Sequence, residues 1–322
     1  MRASSGPEIG LGHAARTLSV AEALVQDGAM PLVIVDEEST ASFLRDAGVP
    51  AVVADSRGAW LDQPADAAWF DTFEDVTGPL TELGERGVPC VLVENRTPAR
   101  ELATKLVYPS LHHRDDAWDV AHPDRVCSGA RWIPLRREVL NATAEERDVD
   151  WLVTFGGSDP FELTERVLAH LPCFVEPGER VAVVIGLHMA SRAAAIAAAA
   201  AEVAEGRSIE VVQPGPELPS WMARSRRAVT AVATSINELA YQRVGTLLVA
   251  NYAEDRDVLA YYDEHGPHVP AGVARELDDE EFARALELGG RRLRSVPPPL
   301  VEELGSGAGR LAQLLIQLPT VS

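Results

Sequence analysis

Short β-branched runs alternate with alanine- and leucine-rich amphipathic segments along nearly the whole chain, and the alternation restarts once near its middle. A strand that returns after every helical segment comes back parallel to its predecessor, so this rhythm confines the chain to stacked βαβ units. In the first half the spacing predicts strands at Pro31–Val35, Ala51–Val53, Ala67–Phe70 and Val88–Val93, with helices at His13–Gln26, Ser39–Asp46 and Val76–Arg86. The second half predicts strands at Trp151–Phe155, Val181–Ile185, Ile209–Val212, Ala228–Val232 and Thr246–Ala250. Its helices are expected at Phe161–Ala169, Ala190–Ala204, Ile236–Gln242 and Arg256–Glu264. With 322 residues there is length for two cores. The expected layout is an α/β chain of two doubly wound parallel-sheet domains, 1–140 and 151–322, joined by a polar linker at 141–150. A cleft between the domains follows from it, lined by the loops beyond the carboxyl ends of the strands.

Composition narrows the function classes. Acidic side chains outnumber basic ones by 49 to 29, a formal charge of -20, which repels nucleic acid and anionic membrane surfaces. A small anion is still compatible, because helix N-termini and a few arginines create local positive potential inside a negative shell. Cys90, Cys127 and Cys173 are widely spaced, odd in number and outside any CxxC pattern, which argues against a disulfide framework or a zinc site. No apolar stretch reaches membrane-spanning length and no signal-peptide pattern opens the chain, so a cytoplasmic protein is expected.

Three loops carry residues with chemistry. The first, Ser4 to His13, is glycine-rich and opens a helix with Arg16 one turn in; Gly10 and Gly12 let backbone approach a diphosphate, and His13 is placed to exchange a proton near neutral pH. The spacing is not the dinucleotide fingerprint GxGxxG. Only Met1, Arg2 and Ala3 precede this loop, so either the first strand is very short or the chain begins a few residues late. The second loop, Gly156-Gly157-Ser158-Asp159-Pro160, reads as a strand-to-helix turn with Asp159 as N-cap and Pro160 at the first helical position. The third, Thr234-Ser235-Ile236-Asn237-Glu238, offers a carboxylate for ribose hydroxyls and Ser and Asn for a base edge, or simply favourable helix-dipole chemistry. The acidic run Leu277 to Glu281 reads as a helix start, with Asp278 as N-cap and Glu281 closing a capping box. Asp148-Val149-Asp150 spells DxD in the linker and reads as solvated charge.

Together these loops resemble the UDP-sugar hydrolases of pseudaminic acid biosynthesis, a group related to spore coat polysaccharide biosynthesis proteins. The likeness runs through Ile9-Gly10-x-Gly12-His13-x-x-Arg16, Gly129 to Arg136, Phe155 to Pro160 and Ser235 to Glu238. It implies a GT-B-like fold and hydrolysis of a UDP-linked amino-deoxyhexose, with His13 activating water at the anomeric carbon. It also implies that Gly10 and Gly12 face diphosphate and sugar, that Gly156, Gly157 and Ser158 line the nucleotide side, and that Ser235, Asn237 and Glu238 hold ribose and uracil. Neither metal nor cofactor is implied. The chain departs from the pattern at Ser4, at Asp71-Thr72-Phe73 and at Glu94-Asn95. Two alternatives stay open: a GT-B glycosyltransferase, in which His13 deprotonates an acceptor hydroxyl, and a non-catalytic sugar-nucleotide binding protein.

Overall fold

The computed structural model describes the chain except residues 7–10, 55–60, 62, 214–216, 267 and 319–322 and the side chain of Leu187. It divides into two compact units, Met1–Arg137 with Glu302–Ser322, and Glu138–Val301.

The first unit runs β1 (Arg2–Ala3), α1 (Gly12–Gln26), β2 (Val33–Val35), α2 (Glu38–Asp46), β3 (Ala51–Val53), β4 (Ala68–Asp71), α3 (Thr77–Glu85), β5 (Cys90–Val93), β6 (Lys105–Tyr108), α4 (Ala117–Ala121) and β7 (Val126–Ser128). All seven strands are parallel, in the order β3-β2-β1-β4-β5-β6-β7. The first strand is indeed two residues long, yet it pairs on both sides, Arg2 opposite Ile34 and Phe70. Strand order reverses between β1 and β4, and in an open α/β sheet the crevice beyond that switch is where ligands are received. Strands covered on both faces are continuously apolar: Val91 and Val93 pack toward α1, while Leu92 and Cys90 pack toward α3.

After α5 (Arg137–Asn141) the second unit follows with β8 (Val149–Val153), α6 (Leu163–Ala169), β9 (Arg180–Val184), α7 (Ala193–Glu202), β10 (Ser208–Val212), α8 (Leu218–Arg224), β11 (Ser225–Ala231), α9 (Ser235–Tyr241), β12 (Gly245–Ala250), α10 (Arg256–His265), β13 (His268–Val273) and α11 (Asp279–Ser295). Its six parallel strands are ordered β10-β9-β8-β11-β12-β13, with the switch between β8 and β11. Trp151 and Val153 enter one core with Phe174, Phe282 and Leu286, whereas Leu152 enters the other with Trp221, Met222 and Leu239.

The last helix, α12 (Gly307–Gln317), divides the chain differently from the expected 151–322 domain. Its buried stripe, Leu311, Ala312 and Leu315, closes the core formed by Val20 and Leu24 of α1, so residues from Glu302 onward belong to the first unit. The unit boundary falls at Arg137, and the expected linker is partly structured: Val149 begins β8, Asp148 pairs with Arg180 and Arg224, and Asp150 accepts from the Arg180 main chain. Six elements were not expected from the sequence; α4 and α5 have only five residues each. β6 begins with Lys105 and β7 has three residues; β13 contains Pro270 and Gly272 and shifts register against β12; α8 carries Pro219, tolerated in a first turn.

Candidate functional site

In the first unit the switch brings together side chains that follow three strands, β1, β4 and β5. His13 lies in the first turn of α1 and is 7% exposed; Asp71, the last residue of β4, is fully buried. His13 Nδ1 is 2.6 Å from Asp71 Oδ1. An ionised carboxylate only accepts, so Nδ1 carries the hydrogen and donates it, which leaves the lone pair of the neutral ring on Nε2. Arg16, one turn further along α1, grips the same carboxylate through Nε to Oδ2 at 2.8 Å and Nη2 to Oδ1 at 2.7 Å; its Nη1 donates to Glu94 Oε2 at 2.6 Å. Burial alone would raise the Asp71 carboxyl, but Arg16 and then His13 outweigh it and hold the group below the usual carboxylate range. Arg16 is raised against the opposing effect of burial by Asp71 and Glu94.

The three guanidinium nitrogens of Arg16 are thus committed to carboxylates. Arg16 thereby fixes the acid that orients His13. Glu94 adopts a left-handed backbone, φ 48°, at the end of β5, a conformation that costs energy in a residue with a side chain. The positions that depart from the hydrolase pattern are built into the same crevice. Ser4 Oγ donates to Thr72 Oγ1 at 2.7 Å, Asn95 Nδ2 donates to the Thr72 and Glu74 carbonyls, and Phe73, 64% exposed, meets the His13 ring edge-on at 4.7 Å. Gly12 is the first residue of α1, and Gly10 lies outside the described residues. Trp69 is core and its indole donates to Thr17 Oγ1.

In the second unit the loops after β8 and β11 flank the switch. Gly156 needs its missing side chain, with φ +77°, and Gly186 is required by space: a Cβ there would stand 2.2 Å from the Gly156 carbonyl oxygen and 2.4 Å from that of Gly157. The Gly157 carbonyl also accepts from His188 N at 2.9 Å. Ser158 is half-buried in this turn. The expected cap is corrected here. Asp159 has φ 41° and Pro160 precedes the helix, which begins only at Leu163. Even so, the Asp159 carboxylate reaches over the intervening residues to accept from Leu163 N, Thr164 N and Thr164 Oγ1, satisfying the helix start from a distance. Gly157 therefore lies well before the helix N-terminus. Ser235, Asn237 and Glu238 do share the first turn of α9, each at most 8% exposed, and Asn237 Oδ1 is buried without a hydrogen-bond partner. A buried, unsatisfied amide oxygen costs free energy unless a ligand group donates to it.

Sequence reasoning found His13 and the α9 turn but not Asp71 as its partner, nor Gly186. Asp71 is 58 residues from His13, and only the strand order sets β4 beside β1.

Among the described residues no helix is long and apolar enough to cross a membrane. Two doubly wound parallel sheets of seven and six strands define a GT-B-like fold, and solved structures share it over essentially their full length. MurG of Acinetobacter baumannii superposes with a TM-score of 0.64 at 14% identity, covering 99% of each chain. The kitacinnamycin glycotransferase reaches 0.63 at 15% identity, covering 99% of this chain and 98% of that one. The spinosyn rhamnosyltransferase SpnG reaches 0.60 at 12%, with 99% and 96% covered. No family model and no curated protein matches the chain. The expectation of UDP-sugar hydrolysis is corrected by these likenesses: the structures that share the fold include transferases by name.

Proposed function

We propose that the chain is a glycosyltransferase that moves a sugar from a nucleotide-sugar donor to a hydroxyl acceptor. The observation that carries the reading is the His13–Asp71 pair at 2.6 Å, beyond the switch of the first sheet. His13 Nε2 takes the proton of the acceptor hydroxyl as its oxygen bonds to the anomeric carbon; the bond from that carbon to the diphosphate breaks, and the nucleoside diphosphate leaves with the electron pair. Asp71 holds the productive tautomer and stabilises the imidazolium that forms, as an orienting acid does in other histidine bases. Exposed Phe73 beside the ring supports an acceptor with an apolar face. On the second unit, buried Asn237 Oδ1 beside Glu238 supports binding of the nucleoside. The loop pattern shared with the hydrolase group is read as the same histidine at the turn into the first helix, used on a different nucleophile.

The test is incubation with a panel of nucleoside-diphosphate sugars, with and without a library of hydroxylated apolar acceptors, followed by product mass. Acceptor-dependent nucleotide release with a mass gain of one sugar is expected. His13→Ala should lower kcat by at least about 100-fold with little change in donor affinity. Equal turnover in His13→Ala, or release that ignores every acceptor, overturns the reading.

A further inference from the structure

Away from His13, the loop between β6 and α4 gathers three donor atoms that the proposed transfer does not use. His113 Nε2 lies 3.1 Å from Asp115 Oδ1 and 3.6 Å from Asp119 Oδ2, and all three donors fall within 4.8 Å of one another. The imidazole plane is held by stacking on Tyr108, the last residue of β6, at 3.9 Å and 10°. Asp119 is anchored in α4 by the capping box with Asp116. A single Nε2 hydrogen makes one good bond and cannot satisfy two carboxylates that converge on it. The Asp119 side chain is fully buried; its Oδ2 accepts from Asp116 N at 3.0 Å, while its Oδ1 lies within hydrogen-bond distance of no donor, and the Tyr108 hydroxyl, raised first by burial, is raised further by Asp119. The neighbouring arginines do not resolve this, because Arg100 and Arg96 both turn to Asp116, at 2.7 and 3.6 Å. A buried carboxylate left short of partners is costly, and a cation is the group that repays that cost.

We propose that His113, Asp115 and Asp119 form a binding site for a divalent transition cation of the zinc class, which ties the β6–α4 loop to its helix. The donor set, one imidazole nitrogen and two carboxylates, is one that zinc accepts. Metal–ligand bonds of about 2.0–2.1 Å imply tetrahedral donor–donor edges of about 3.3 Å. The observed 3.1 and 3.6 Å bracket that edge. Asp115, 54% exposed, provides the entry side and leaves the fourth position to water. The sequence showed no such site because His113-x-Asp115-x3-Asp119 matches no common ligand spacing, and the fit depends on Tyr108 orienting the ring.

The full-length protein, stripped with chelator, is titrated with Zn2+ by calorimetry and with Co2+ by visible absorption. One equivalent should bind, Co2+ should show the intense band of a four-coordinate ion, and thermal stability should rise with bound metal. His113→Gln and Asp115→Asn should each weaken Zn2+ binding at least about tenfold, while His265→Gln, at an exposed histidine elsewhere, should not. Asp115→Asn alters a half-exposed side chain and keeps the Asp116–Asp119 cap, so a folded variant is available. No stoichiometric binding, or binding unchanged in both His113→Gln and Asp115→Asn, overturns the site.

Discussion

Asp71 shows how much one residue can carry. It is fully buried, and its charge is compensated by Arg16 and shared with His13. Because its folded-state pKa is depressed, its contribution to stability is fully present above the unfolded value near pH 4 and is lost as pH falls through the folded value. Acid unfolding followed by circular dichroism should therefore steepen below about pH 4, and Asp71→Asn should flatten that limb. At neutral pH the same substitution should cost about 3–5 kcal/mol in urea unfolding, since it leaves the Arg16 guanidinium buried with half its partners. An unchanged acid limb in Asp71→Asn would show that the charge is not depressed by its partners. His13 was legible in the sequence because a histidine after a glycine loop at a helix start is a local signal. Asp71 was not, because a strand-terminal aspartate acquires meaning only from the strand beside it.

Elements differ in how openly they announce themselves. The capping box of α11 was readable because both members, Asp278 and Glu281, lie within one turn. The cap of α6 was misread because Asp159 acts from four and five residues before the amides it satisfies, through a left-handed backbone that no local pattern reports. For α12 no local pattern could supply the docking partner, which lies far away in the chain. Gly307 is where that docking is tightest, for a Cβ there would stand 2.1 Å from the Ile133 carbonyl oxygen. Backbone cannot yield as a side-chain end does, so Gly307→Ala should push α12 off its seat. A loss of about 1–3 kcal/mol is expected by urea denaturation. Wild-type stability in that variant would mean that the helix docks less closely than its contacts indicate.

The charge of -20 acts at the scale of the whole molecule. In the proposed reaction the nucleotide-sugar donor is itself anionic and would approach against this field. Raising ionic strength from about 0.01 to 0.15 M shortens the screening length from about 30 to about 8 Å. Turnover at limiting donor, kcat/KM, should consequently rise about twofold or more over that range; a fall would point to a basic approach path that the net charge conceals. The alternation of apolar periods by itself determined two parallel α/β sheets and most of their strands, because burial on both faces and helical amphipathicity are written within windows of five to fifteen residues. It also marked the turns that hold His13 and the Ser235–Glu238 segment. Tertiary structure alone decided that α12 returns to the first unit, that Asp71 stands against His13, that Arg16 serves the acid, and that Gly186 presses on the Gly156 turn. Those relations join residues far apart in the chain, and only the order of the strands and the packing of helices upon them bring such residues within reach.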